Sequence, residues 1–167
     1  MLAVIILIVG VLTRFTDHAP NFTPTIALAL FGGVYLPRQY ALIVPLAFMM
    51  ISDLFLGSHA TMPFTWGSVL LISWFGLQLR EQKNFPRVIG YSVMSAVLFF
   101  IVTNFGAWFQ LYPLTKTGFV ECYVAAIPFF RNTFVSTVVY SVVFFGLYEG
   151  VASRVKNTAW ARVLLAS

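Results

Sequence analysis

Charged side chains are scarce in this sequence, and their scarcity excludes an ordinary soluble domain. Asp, Glu, Lys and Arg make up only 9% of the 167 residues, 60% are hydrophobic, and the mean hydropathy is +0.90. Soluble domains carry about 25% charged residues, so most of this surface is expected to contact lipid. At about 20 residues per membrane-spanning helix, there is room for roughly six crossings and no separate soluble domain.

Cysteine and histidine are also nearly absent, which limits metal and redox chemistry. The single cysteine, Cys122, excludes an internal disulfide and any multi-cysteine metal cage. The two histidines, His18 and His59, lack the spacing of a metal motif, so we expect neither a metal nor a cofactor. No Ser-Lys, Asp-Asp or His-Glu constellation indicates chemistry inside an apolar run, so we expect no enzyme.

Two further features that are missing narrow the class of protein. The basic residues are scattered at the ends of apolar runs, so the net charge of +5 does not indicate a nucleic-acid partner. The first apolar run is not preceded by a basic region or followed by a small-residue cleavage site. We therefore expect it to remain as the first helix rather than to be removed as a signal peptide.

Six apolar runs predict an all-α integral membrane protein, a bundle of six transmembrane helices forming a single domain over residues 1–167. The runs cover residues 1–13, 24–36, 40–56, 64–79, 88–109 and 127–151, and a polar, aromatic-rich loop is predicted at 110–125. The second run is only about 20 Å long, against a hydrocarbon core of about 30 Å. A segment this short is tolerated when it is packed inside protein or lines a cavity, so it points toward a site.

Lys and Arg are distributed unevenly between the two sides of this topology. With a cytoplasmic N-terminus, seven of them lie on the inner side and three on the outer side, a bias that favours this orientation. We therefore expect a multi-pass protein of the bacterial cytoplasmic (inner) membrane with both termini in the cytoplasm. The inner group is Arg38, Arg80, Lys83, Arg87, Arg154, Lys156 and Arg162, and the outer group is Arg14, Lys116 and Arg131.

Polar side chains gather at the outer side, where they predict a mouth for a small-molecule solute. The third and fifth helices run outward and the sixth runs inward, so their outer turns reach the depth of loops one, three and five. Binding sites combine apolar walls with a few placed polar groups. The candidate ligand-binding residues are Arg14, Asp17, His18, Asn21, Asp53, His59, Trp66, Asn104, Trp108, Tyr123, Arg131 and Asn132.

Asp53 and Arg131 have opposite charge and compatible depth. An ionisable residue in hydrocarbon costs about 2.5–3.5 kcal/mol on insertion scales, and it is kept when it pairs, faces a wet cavity or has a function. Two interpretations stay open: a structural ion pair between the third and sixth helices, or a role for one or both in holding a ligand. Glu149, near the inner end of the sixth helix, is expected to be interfacial or to pair with a neighbouring Arg.

Three pairs of small residues at four-residue spacing predict close helix packing. Each pair marks a seam that is either internal or faces a partner subunit. The pairs are Ala29 with Gly33, Ser92 with Ala96, and Gly146 with Gly150.

Short motifs are distributed over almost the whole chain. They are Pro20-Asn21-Phe22-Thr23-Pro24 with Ala27-Leu28-Ala29-Leu30-Phe31-Gly32-Gly33, Ser52-Asp53-Leu54 with Leu56-Gly57, Thr103-Asn104-Phe105-Gly106 with Trp108, and Cys122-Tyr123 with Ala126-Ile127-Pro128-Phe129-Phe130 and Asn132-Thr133. Together these motifs resemble an uncharacterised family of bacterial six-helix membrane proteins. That family in turn resembles, more distantly, the substrate-binding S components of energy-coupling factor (ECF) transporters.

The resemblance implies a protein that binds a vitamin-like or precursor molecule on the extracytoplasmic side. It also implies delivery of that molecule inward with a transmembrane coupling subunit and two ATPases. S components usually dock through an Ala-x-x-x-Ala face on helix one. Here the first run has only Ala3 and Gly10 as small residues, which leaves the helix-two seam as the alternative docking face. The competing hypothesis is a structural or accessory subunit of a larger membrane protein complex.

Overall fold

The computed structural model describes residues 1–16, 19–57 and 59–165, and helices dominate this part of the chain. No strand occurs within it, so the prediction of an all-α fold is confirmed. A short 3-10 turn, Thr13–Phe15, follows the first helix. The helices are α1 Leu2–Leu12, α2 Thr25–Tyr35, α3 Ile43–Leu56, α4 Met62–Arg80, α5 Phe85–Leu111, α6 Lys116–Val155 and the short α7 Ala161–Leu164.

Side-chain caps set the starts of the two longest helices. The side chain of Asn84 accepts a hydrogen bond from the Arg87 N–H at 3.0 Å, before α5. The Thr115 hydroxyl accepts from the Gly118 N–H at 3.1 Å, before α6. Each cap satisfies a backbone donor that has no partner within its helix. Both helix starts are therefore fixed by local polar chemistry rather than by hydropathy.

The loop predicted at 110–125 is wrong, because α6 begins at Lys116 and continues for 40 residues. Hydropathy identifies only the part of a helix that is suited to lipid, and the first turns of α6 carry polar residues such as Glu121. Pro128 lies inside the helix, where it has no N–H to donate to the Val124 carbonyl. The helix nevertheless continues through it to Val155.

Helix α2 lies at the centre of the bundle and contacts α1, α3, α4, α5 and α6. Every residue from Ile26 to Val34 is buried. The fully buried Phe31 ring lies 5.5 Å from the ring of Phe145 and 5.9 Å from that of Tyr148, both edge-on. The short second helix is thus packed inside protein, as its length predicts.

The contact between α2 and α4 is a direct approach of two backbones. A Cβ atom at Gly33 would overlap the carbonyl oxygen of Ser73, and one at Gly76 would overlap that of Leu30. Glycine is therefore required on both sides of the crossing. Ala29 and Gly33 are both buried and Gly33 lies against α4, so this seam is internal, which is the first of its two alternatives.

The other two seams differ from each other in exposure. Ser92 and Ala96 are fully buried on α5, so their seam is internal. Gly146 and Gly150 are exposed on α6, and a Cβ at either position would meet no atom within 4 Å. The α6 seam therefore faces outward from the bundle.

One end of the bundle, here called the basic end, holds the carboxyl end of α2 and a set of charged contacts. Arg80 donates to the carbonyl oxygens of Gly33, at 2.8 Å, and Leu36, which caps α2 with positive charge. Glu149 pairs with Lys83 and accepts from the Tyr35 hydroxyl at 2.6 Å. The prediction that Glu149 pairs with an Arg is therefore wrong, because its partner is Lys83, in the connection between α4 and α5.

Two helices in the described chain, α5 and α6, are long and apolar enough to cross a membrane. Three segments are apolar but shorter: Leu2–Phe15, Thr25–Tyr35 and Ile43–Leu56. Large apolar side chains are exposed along α1, α3, α4, α5 and α6, and Leu54 on α3 is 82% exposed. No described residue of the chain covers these outward faces.

Gly33→Ala is expected to lower the stability of the bundle, because the added Cβ enters a contact between two backbones that no side-chain rotation relieves. We expect a loss of about 1–3 kcal/mol or more, seen as a lower midpoint of thermal unfolding in detergent. Gly90→Ala is the matched control, since a Cβ there meets no atom within 4 Å and Ala favours a helix. Equal midpoints for the two variants would contradict the close crossing of α2 and α4.

Candidate functional site

A cavity of about 320 Å³ opens at the end of the bundle opposite the basic end, where α2 begins. Its volume lies at the small end of the range of about 300–1,000 Å³ that is typical of ligand pockets. Five helices and two loops contribute to its wall, so the whole bundle shapes it. The wall consists of Arg14, Asn21, Thr23, Thr25, Ile26, Met49, His59, Thr61, Thr65, Phe99, Thr103, Asn104, Ala107 and Thr133.

Loop one brings Asn21 to the cavity through an unusual backbone conformation. Asn21 has φ of +60°, in the left-handed region that Asn tolerates better than most residues. The Phe22 N–H donates to the Ala19 carbonyl at 2.9 Å, closing the turn. Asn132 on α6 donates its side-chain amide to the Pro20 carbonyl at 3.0 Å. These two bonds hold the loop over the start of α2.

Helix α5 contributes Thr103 and Asn104, which are consecutive residues in the wall. The Thr103 hydroxyl donates to the Phe99 carbonyl and the Asn104 amide to the Phe100 carbonyl, each at 2.7 Å. A smaller space of about 110 Å³ shares Asn21, Thr103 and Asn104 with the cavity. The polar stretch of α5 therefore borders both spaces.

Beside the cavity, Arg14 and Asp53 form a buried ion pair. Arg14 Nη2 lies 3.0 Å from Asp53 Oδ1, and the two side chains are only 11% and 3% exposed. The second carboxylate oxygen accepts from the Trp66 indole N–H at 2.9 Å. Arg14 Nη1 contacts the Ser52 hydroxyl and lies 2.9 Å from the Met49 sulfur. The pair thus joins the turn after α1 to α3 and α4.

The prediction that Asp53 pairs with Arg131 is wrong. Both oxygens of Asp53 are engaged by Arg14 and Trp66, whereas Arg131 is exposed on α6 and contributes nothing to the cavity wall. The sequence predicts that Arg14 and Arg131 both lie at the outer side of the bundle. The fold of loop one brings Arg14, and not Arg131, to Asp53. The convergence of Asp53, Asn104 and Arg131 at one opening is therefore not found.

The structure divides the remaining predicted residues between the cavity and the α5–α6 interface. His59 lines the cavity, with its Nδ1 3.0 Å from the Thr61 hydroxyl. Trp108 donates to the Pro113 carbonyl at 3.1 Å, and Tyr123 donates to the Ile101 carbonyl at 2.8 Å, both outside the cavity wall. These two aromatic residues fasten the α5–α6 hairpin and do not contact the space itself.

Two predicted residues, Asp17 and His18, lie outside the described residues. Within residues 1–16, 19–57 and 59–165, no group of three or more His, Cys, Asp or Glu side chains is placed to hold a metal ion.

Threonines form much of the polar wall, and sequence reasoning did not single them out. They come from the loop before α2, from α2 itself, from the start of α4, and from α5 and α6. In the sequence they look like ordinary residues of helix ends and apolar helices. The one pattern that indicated a common site was their predicted position at the same side of the membrane. The six are Thr23, Thr25, Thr61, Thr65, Thr103 and Thr133.

Comparison with known proteins identifies the family but not an activity. Residues 1–160 match the family described as "Family of unknown function (DUF6580)". The chain belongs to this family, since the match covers nearly its whole length. No curated protein and no solved structure matches the chain.

Asp53→Ala is expected to destabilise the bundle by about 3–5 kcal/mol, because it leaves the guanidinium of Arg14 buried and unpaired. Thermal unfolding in detergent measures the loss. The double variant Arg14→Met with Asp53→Ala is expected to recover part of it, since no buried charge is then left without a partner.

Two control variants sharpen this test. Glu81→Ala breaks the pair with Arg38, whose members are 67% and 72% exposed, so it is expected to cost at most about 1 kcal/mol. Arg131→Ala is expected to leave the unfolding midpoint unchanged. A loss from Arg131→Ala as large as that from Asp53→Ala would contradict the assignment of Arg14 as the partner.

Proposed function

We propose that this family member is a multi-pass protein of the bacterial cytoplasmic membrane that binds a small solute for uptake. The cavity at the start of α2 is the binding site, and the solute is a vitamin-like or precursor molecule captured on the extracytoplasmic side. One observation carries the proposal: Arg14 and Asn21 from loop one, His59 from the α3–α4 loop and Asn104 from α5 converge on one space of ligand size.

The outward apolar faces support a bundle in which α1 to α6 each cross or enter the bilayer. Exposed hydrophobic side chains occur on every helix around α2, and lipid is the solvent that such faces require. Helix α2 has only 11 residues, or about 16 Å of rise, and it is enclosed by protein. A short helix is tolerated at membrane depth in that position.

The basic end supports the proposed orientation. Seven of the ten Lys and Arg residues belong to the segments at this end, and such a bias favours the cytoplasmic side. The α-amino group of Met1 donates to the Leu164 carbonyl at 3.3 Å, so α7 lies beside the start of α1. The cavity then opens on the opposite, extracytoplasmic side.

Arg131 supports an extension of α6 beyond the hydrocarbon. A helix of 40 residues is about 60 Å long, roughly twice the thickness of the hydrocarbon core. Arg131 is exposed, and an exposed charge is costly in lipid. We therefore place the first turns of α6, from Lys116 to about Arg131, and the end of α5 at the membrane interface, where exposed apolar residues such as Val124 and Ile127 still contact lipid.

Uptake requires a partner that supplies energy, and the resemblance to ECF S components suggests a transmembrane coupling subunit with two ATPases. The buried seam on α2 is not open to such a subunit.

The polar groups of the cavity wall are hydroxyls, amides, an imidazole and a guanidinium, which suit reversible binding by hydrogen bonds.

A second candidate function is a structural or accessory subunit of a larger membrane complex. The exposed seam of Gly146 and Gly150 favours it, because a partner helix approaches closely where no Cβ intervenes. Gly146→Leu with native-detergent co-purification tests this alternative. Loss of a partner from the variant, with solute binding unchanged, would support an assembly role for that face.

Solute binding predicts that a small molecule co-purifies with the wild-type chain after gentle solubilisation. Asn104→Ala removes an amide from the cavity wall, so we expect a loss of about tenfold in affinity, or 1.4 kcal/mol. Mass spectrometry measures how much solute each protein releases. The shift of the thermal unfolding midpoint when that solute is added measures the change in affinity.

Asn157→Ala is the matched control for this experiment, since Asn157 is exposed beyond the basic end of α6. It is expected to retain the solute at the wild-type level. A wild-type protein that carries no solute, or an Asn104→Ala variant that retains it fully, would refute the site.

The proposed topology predicts opposite accessibility at the two ends of the bundle. In a Cys122→Ser background, Ala60→Cys near the cavity is expected to react with a membrane-impermeant maleimide in intact cells. Asn157→Cys is expected to react only after the membrane is permeabilised. Labelling of both positions in intact cells, or the reverse pattern, would exclude the orientation.

A further inference from the structure

Three threonines of the cavity wall have already used their only hydroxyl hydrogen. Thr65 donates to the Thr61 carbonyl at 3.3 Å, Thr103 to Phe99 at 2.7 Å and Thr133 to the Phe129 carbonyl at 3.1 Å. A hydroxyl has one donor and two acceptor sites. In the cavity wall these three side chains therefore retain acceptor capacity alone.

Asn104 adds a further acceptor to the same wall. Its side-chain nitrogen donates to the Phe100 carbonyl at 2.7 Å, and its oxygen has no protein donor in the described part of the chain. A ligand that satisfies this wall must therefore present several N–H or O–H donors, because wall acceptors that lose their water to a ligand and stay unpaired cost binding energy.

The wall also contains donors. Asn104 uses one of its two amide hydrogens for the Phe100 carbonyl, and Asn21 contributes a second amide to the wall. The Thr25 hydroxyl accepts from Thr23 at 3.2 Å and keeps its own hydrogen for a ligand. The ligand therefore also needs at least one acceptor.

The charge of the wall is compensated before any ligand binds. Arg14 is the one residue of the wall with a permanent charge, and Asp53 lies against it at 3.0 Å behind the wall. Among the described residues the wall has no carboxylate to hold a cation. An anion finds the terminal nitrogens of Arg14 already engaged, and burying an uncompensated charge is costly.

We propose that the cavity selects an uncharged small molecule with several N–H or O–H donors and at least one acceptor, such as a carboxamide or a polyol. This inference rests on the proposed solute-binding function and specifies its substrate class. The apolar part of the wall, with Ile26, Met49 and Phe99, accommodates the carbon skeleton of such a molecule.

Two sets of matched probes test the class on the purified full-length chain. The first set is benzamide, benzoate and benzylammonium, and the second is glucose, gluconate and glucosamine. The neutral member of at least one set is expected to raise the unfolding midpoint more than either charged member. The set that responds distinguishes a carboxamide from a polyol.

Thr103→Val is expected to weaken the binding of that neutral probe about three- to tenfold, because one acceptor is replaced by a methyl group. Thr137→Val is the matched control: Thr137 donates to the Thr133 carbonyl at the same 2.7 Å and is buried outside the wall. Thr65→Val provides a second variant if Thr103→Val does not fold.

The outcomes separate this inference from the function on which it rests. Strongest stabilisation by a charged member, weakened by Thr103→Val, would overturn the neutral class and leave solute binding intact. No stabilisation by any of the six probes would also overturn the class, while the co-purification experiment decides solute binding independently. An equal effect of Thr103→Val and Thr137→Val would overturn the role of the wall acceptors.

Discussion

The enclosure of a short helix by longer ones is the constraint on which the rest of the structure depends. Helix α2 has 11 residues and contacts five other helices, whereas α4 and α5 have 19 and 27 residues. The backbone crossing at Gly33 and Gly76 and the cap from Arg80 fix α2 toward the basic end. Because α2 is fixed there, its first turn does not reach the opposite end of the bundle. The surrounding helices enclose the space that remains.

The side chains around that space follow from the same constraint. Thr25 and Ile26 line its floor as the first turn of α2, and loop one must fold back over them to connect α1 with α2. The fold-back brings Arg14 against α3 and Asn21 over the cavity. A longer second helix would fill the space with apolar side chains, so the cavity is a consequence of helix length and not of any single polar residue.

Much of the fold was accessible from the sequence, because hydropathy and helix punctuation are local signals. The apolar runs predicted five of the helices α1 to α6 to within a few residues, and the shortness of the second run pointed to its buried position. The start of α6 was missed because the Thr115 cap acts where hydropathy is low.

Four predicted residues line the cavity, namely Arg14, Asn21, His59 and Asn104. The partner of Asp53 was missed, because the choice between Arg14 and Arg131 depends on the path of loop one, which no local pattern encodes.

The presence of arginine at position 14 connects the stability of the bundle with the chemistry of the cavity. A guanidinium has its donors on three nitrogens in a fixed plane. Here Nη2 binds Asp53, Nη1 contacts Ser52, and Nε is buried without a hydrogen-bond partner among the described residues. A lysine ammonium is a single charged point, and the carboxylate would engage it without leaving a donor at a fixed position. An unsatisfied buried donor costs about 1–3 kcal/mol, so the contacts of the other two nitrogens must offset the burial of Nε. The same side chain therefore links loop one to α3 and forms part of the cavity wall with its charge already compensated by Asp53.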